Sequence, residues 1–117
     1  MIKAKIRTND KQFLSLSLSG HAGTAEAGKD LLCASASILA YTVAQLVKDY
    51  EAKGMLKGKA NIILESGKAR ISCTPKKDCY DLIAYAFYVA QTGFYLLAHN
   101  YPDHVQLTET LDIGITP

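Results

Sequence analysis

Two side chains in this sequence have the types that nucleophilic catalysis needs: the thiol of Cys33 and the imidazole of His21. A thiolate is the attacking form of cysteine, and a neighbouring histidine can take its proton and later return it. The two residues lie in the stretch Gly20-His21-Ala22-Gly23-Thr24-Ala25-Glu26-Ala27-Gly28-Lys29-Asp30-Leu31-Leu32-Cys33. A loop of that length closes on itself at little entropic cost. Asp30 has the type of a helix N-cap, which places Cys33 at the third helical position, where its N–H can donate to the Asp30 carboxylate. The positive end of the helix dipole favours a thiolate there, and the Asp30 charge opposes it. An imidazolium at His21 is the stronger stabiliser. Ser37 lies one turn beyond Cys33 on the same helix face. The N–H groups of Leu31, Leu32 and Cys33 are candidate oxyanion donors at a helix start.

Each of these residues also has a plainer role. A helical cysteine is often a packed small hydrophobe. His21 can be a loop histidine bonded to a carbonyl, Asp30 a cap, and the glycines turn formers. Residue types and spacing leave open a Cys–His hydrolase, a thiol redox sensor at Cys33 and a binding module with an inert Cys33. Cys73 and Cys79 are separated by a loop containing Pro75, a spacing that matches no metal signature. Cys73 is expected to face the core at a strand end, and Cys79 to pack in the first turn of a helix. Lys76 and Lys77 read as a solvated loop tip. His99 suits a helix C-terminus.

The elements that must position the pair follow from changes of period. Ile2, Ala4 and Ile6 alternate with Lys3, Lys5 and Arg7, and Leu14, Leu16 and Leu18 with Ser15, Ser17 and Ser19. Both segments read as strands, joined as a hairpin through Thr8-Asn9-Asp10-Lys11. Residues 20–29 read as a loop. From Asp30 the period turns helical, with Leu32, Ala36, Leu39, Val43, Leu46 and Tyr50 on one face and Gly54 as the stop. Residues 61–64 and 69–73 read as strands around a Glu65-Ser66-Gly67-Lys68 turn. Asp78 is expected to cap a second helix that carries Ile83, Phe87, Ala90, Phe94 and Leu97 and ends before Pro102. Residues 105–110 form a last strand, with a fraying tail after Asp112. The order strand-strand-helix-strand-strand-helix-strand predicts one α+β domain over residues 1–117, its two helices packed on a mainly antiparallel sheet. Apolar residues surround more than one helix face, and Ala34, Ala40 and Ala44 admit a close backbone neighbour. A homodimer is therefore expected.

Composition narrows the classes further. The chain has 117 residues, 49% hydrophobic and 21% charged, which suits a globular core rather than disorder. Its net charge of +2 is mild, and with no aromatic-plus-basic RNA-reading motif, no direct nucleic-acid binding is expected. Three cysteines, an odd number, give no disulfide framework and suit a reducing, cytoplasmic setting. The charged N-terminal segment has no signal-like apolar core. Residues 31–47 and 82–98 lack charged side chains, but their Ala, Ser, Thr, Tyr and Gln content suits buried helices, so no membrane partner is expected.

The combination resembles the ribosomal-processing cysteine proteases of Firmicutes and related bacteria. The residues that carry it are Gly20-His21-Ala22-Gly23, Gly28-Lys29-Asp30, Cys33-Ala34 and Ser37, with Asn100-Tyr101-Pro102 before the last strand. Leu31-Leu32 stands where that family more usually has Ile-Val, and Ser35-Ala36 where Ala-Val is common. The resemblance implies a His21–Cys33 dyad with Gly20, Asp30 and Ser37 in support, a homodimer, and no metal or cofactor. It implies as substrate the N-terminal extension of large-subunit ribosomal protein twenty-seven, cut after an aromatic residue in a short apolar motif. The alternative is a non-catalytic ribosome-associated binding or assembly factor.

Overall fold

The alternating residues of the first segment do form a hairpin. In the computed structural model, which describes residues 1–10, 12–21 and 28–112, strands β1 (Ile2–Asn9) and β2 (Phe13–Ser19) pair antiparallel. Ala4 lies opposite Leu18 and Ile6 opposite Leu16. Because successive strand side chains point to opposite faces, this register puts the aliphatic set on one side and Lys3, Lys5 and the serines on the other. Helix α1 (Gly28–Ala52) follows, then the hairpin β3 (Asn61–Glu65) and β4 (Lys68–Cys73), a 3₁₀ turn at Lys77–Cys79, helix α2 (Tyr80–Asn100) and β5 (Val105–Glu109). The sheet order is β3-β4-β2-β1-β5. Every pairing is antiparallel except β1 with β5, which is parallel and bulged between Ala4 and Lys5. The expected α+β architecture and element order are those of the protein.

Both helices cover the aliphatic face of the sheet. α1 buries Leu32, Ala36, Ala40, Val43, Ala44 and Val47, and α2 buries Ile83, Ala84, Phe87, Ala90 and Phe94. Phe87 and Phe94 are fully enclosed, each contributing roughly 1.5–3 kcal/mol by removal from water. The helices meet closely at Gly93, where an added Cβ would lie 2.7 Å from Leu39 Cδ2. The buried amide of Gln91 ties the segment after β5 to α2. Its Nε2 donates to the Leu111 carbonyl (3.1 Å), and its Oε1 accepts from the Leu111 N–H (2.5 Å). Residues 31–52 are long and apolar enough to cross a membrane by length and composition, yet in this fold their apolar stripe packs on the sheet.

Three local expectations are corrected. α1 begins at Gly28, so Asp30 lies inside its first turn rather than capping it, and Cys33 sits in the second turn. Asp78 does not cap α2. The chain enters through the 3₁₀ turn, closed by the Cys79 N–H on the Lys76 carbonyl (2.8 Å), and Cys79 precedes Tyr80 with no side-chain cap. Ala40 and Ala44 are spent on the protein's own core, while Ala34 is exposed. The tail expected to fray lies outside the described residues.

Candidate active site

β2 ends in a left-handed kink. Gly20 has φ +92°, and any Cβ there would run into the Met1 carbonyl oxygen, so only glycine fits. The kink turns the chain so that the Gly20 N–H donates to the Gly67 carbonyl at 2.9 Å. The Met1 ammonium donates to the His21 carbonyl at 2.5 Å. His21 is thereby held by its backbone between the N-terminus and the β3–β4 turn. Its imidazole lies over Gly67, which has φ +73°, and a Cβ at Gly67 would stand 2.7 Å from His21 Nε2.

Cys33 comes to the same place from α1. His21, Cys33, Gly20 and Ser37 all line one cleft of about 380 Å³ between the start of α1, the end of β2 and the β3–β4 turn. The apolar wall includes Ile2, Leu18, Tyr41 and Leu64, and the polar rim is Glu65, Ser66 and Lys68. This is a concavity with an apolar wall and a polar rim, of the kind that holds a ligand. Cys33 is half-buried on its wall. Ser35, by contrast, donates back to the Leu31 carbonyl of its own helix at 2.7 Å. A helix starting at Gly28 leaves the amides of residues 28–30 without intrahelical acceptors, so those of Leu31, Leu32 and Cys33 belong to the helical ladder rather than to an oxyanion hole. The Asp30 side chain and the loop residues 22–27, including Ala22 and Gly23 of the glycine-rich element, lie outside the described residues.

The other thiols sit elsewhere. Cys73, at the end of β4, is buried among aliphatic side chains, and burial pushes its thiol up to about 12. Burial also raises the Tyr50 hydroxyl, with Cys73 and then Asp49 adding to the rise. Cys79 packs partly against the core. Among the described residues no group of three or more His, Cys, Asp or Glu side chains is placed to hold a metal ion.

Sequence reasoning named His21, Cys33, Gly20 and Ser37, which line this cleft, but not Tyr41, Leu64 and the Ser66-Gly67 turn, which line it too. The turn was legible as a hairpin connection. That it packs against His21 follows from β4 lying next to β2 in the sheet, a pairing between segments some fifty residues apart. No local pattern announces such a pairing. Tyr41 had one available signal, its place two helical turns beyond Cys33.

The chain matches the model of a protein family described as cysteine protease Prp, over residues 1–106. Among solved structures it is similar to the ribosomal processing protease Prp of Staphylococcus aureus. The form holding a covalently linked product peptide is 23% identical, covers 94% of this chain and 100% of that one, and has a TM-score of 0.63. The form with a substrate peptide is 18% identical over the same coverage, with a TM-score of 0.65. SMU.848 of Streptococcus mutans is 23% identical, with 94% and 96% coverage and a TM-score of 0.62. No curated protein matches the sequence.

Proposed function

The chain belongs to the cysteine protease Prp family, and from that premise we propose that it removes the short N-terminal extension of large-subunit ribosomal protein twenty-seven with a His21–Cys33 dyad. The observation that carries this reading is that His21 and Cys33, from separate elements, line the same cleft. The substrate class draws support from the Staphylococcus aureus neighbour, a ribosomal processing protease with substrate and product peptides.

In the proposed cycle an extended peptide lies in the cleft. His21 accepts the Cys33 proton, and the sulfur attacks the scissile carbonyl carbon. The tetrahedral intermediate collapses as His21 passes that proton to the leaving amine. Water, deprotonated by His21, then cleaves the thioester and frees the carboxylate and the thiol. The start of α1 supplies positive potential beside the developing oxyanion. Tyr41 and Leu64 give the cleft an apolar wall for a large side chain of the substrate. Leu31, Ile38, Leu82, Tyr85 and Val89 stand exposed on the outer side of the helix layer, an apolar surface that suits a second copy of the chain. We assign the working protein as a cytoplasmic homodimer on that ground and on the free thiols.

The test is incubation of the purified protein with a peptide copied from the N-terminus of its host's ribosomal protein twenty-seven, read by mass spectrometry beside Cys33→Ala. One cut made only by the wild type supports the reading. An uncut peptide that does carry the extension, with the protein folded, overturns it in favour of a non-catalytic binding factor.

A further inference from the structure

The face of the sheet turned away from the helices has a charge pattern that the net charge of +2 conceals. On β1, Lys3, Lys5 and Arg7 point outward at alternate positions, and on β4 so do Lys68 and Arg70. Between the two rows runs β2, which presents Ser15, Ser17 and Ser19. The register aligns them across the sheet: Lys3 with Ser19 and Lys68, and Lys5 with Ser17 and Arg70. A shallow depression of about 180 Å³ is lined by all five cations with Ser17 and Ser19. Arg7 is paired with Glu109 at 3.3 Å, an exposed contact of little strength. Among the described residues no carboxylate forms an ion pair with Lys3, Lys5, Lys68 or Arg70. Lys68 lines both this depression and the cleft, so the two surfaces adjoin along β2 and β4.

Chemistry narrows what this face would hold. Two cation rows flanking a row of hydroxyls present the donor types that contact phosphate oxygens and sugars. Alternate residues on a strand are about 6.6 Å apart, comparable with the spacing of consecutive phosphates along one nucleic-acid strand. An acidic peptide would need separate pockets for its side chains, whereas the five cations share one shallow depression. Single-stranded nucleic acid is held by aromatic platforms; no aromatic side chain lines the depression, and Phe13, the one aromatic residue of β1, β2 and β4, stands half-buried at the far end of β2. The B-DNA major groove is read by a protruding helix or ribbon, whereas this face is a shallow depression in a sheet. The wide, shallow minor groove of an A-form duplex accepts a flat polar surface, and its 2′-hydroxyls pair with serines. We infer that the outer face of the β1–β2–β4 sheet docks on the backbone of double-stranded RNA, without reading its sequence. This departs from the expectation, drawn from composition, of no nucleic-acid contact. A count of charges does not register that these five cations are gathered on one face, with Glu65 and Glu109 on the flanking strands.

The experiment is fluorescence anisotropy of the full chain with a labelled RNA hairpin of about 16 base pairs, the span of known double-stranded RNA readers. The expected result is saturable binding that weakens with salt at a log–log slope of about −3 to −4, as a few released counterions require. Lys5→Gln/Arg70→Gln should bind at least about 10-fold more weakly and lower the slope by about 2, one per lost phosphate contact, with peptide cleavage unchanged. Lys5→Arg/Arg70→Lys, which keeps both charges, should stay within about 3-fold of the wild type. The proposal is overturned if the wild type does not bind at low salt or if the Gln pair binds as tightly as the wild type. Equal binding of a same-length DNA duplex, polyglutamate or phosphatidylserine vesicles overturns it as well.

Discussion

Cys33 and Cys73 are the same side chain in two settings, and the difference between them separates chemistry from packing. Cys73 ends a central strand, is 4% exposed and holds its proton up to about 12 because nothing around it solvates a thiolate. Cys33 sits on a helix turn at the wall of a cleft, with His21 on the same cleft and a helix start behind it. A buried thiol contributes volume. A thiol on the wall of a cleft that a histidine also lines has the access that the proposed reaction requires. What distinguishes the two is access, and access is set by elements far apart in the chain.

Four measurements break or sharpen that contrast. Cys33→Ala should lower the rate of peptide cleavage by at least about 10⁴-fold, while Cys73→Ala should leave the rate per folded molecule near that of the wild type. Differential alkylation at pH 8, read by mass spectrometry, should modify Cys33 at least about 10³-fold faster than Cys73. A thiol that titrates at about 12 is ionised to about one part in ten thousand at that pH. Comparable rates would dissolve the distinction. Gly67→Ala forces a left-handed backbone and sets a methyl against His21. It should reduce kcat by about 10- to 100-fold through displacement of the imidazole, at about 1–2 kcal/mol of stability. Unchanged kcat would show that the turn does not position His21. The smallest effect is on the pH profile of unfolding. Cys73 has its folded pKa raised above the ordinary value of 9.0, so the unfolded chain loses that proton first. Its contribution is full below pH 9 and declines as pH rises from 9 towards 12, by up to about 1.4 kcal/mol per pH unit. Denaturant titrations of the wild type and Cys73→Ala from pH 8 to 10.5 should show a shallower decline in the variant.

The elements were legible because strand and helix periods are local. The alternation of Ile2, Ala4 and Ile6, and the step from Leu32 through Ala36 to Val43, each specify one buried face. Helix starts were less so, since capping competes with tertiary context. Asp30 and Asp78 have the right type for caps, and the chain begins α1 two residues earlier and leads into α2 with a 3₁₀ turn. The site divides in the same way. His21, Cys33, Gly20 and Ser37 are close in sequence and carry a recognisable spacing. Gly67 and Leu64 reach the cleft only through the β2–β4 pairing. The basic outer face was visible as alternating cations in β1, but its second row depends on that same pairing.

The parallel pairing of β1 with β5 also bears on the order in which the protein can be built. Ile2 lies opposite Val105, and its N–H donates to the His104 carbonyl at 2.8 Å. β1 is therefore completed by a strand that follows it about a hundred residues later in the chain. Until residues 105–109 emerge, β1 has β2 on one side and an open row of backbone donors and acceptors on the other, which invites pairing with foreign strands. Loop closure over a hundred residues is also slow compared with hairpin formation. A nascent chain stalled before β5 would hold the residues of its cleft in an unsealed sheet, prone to self-association.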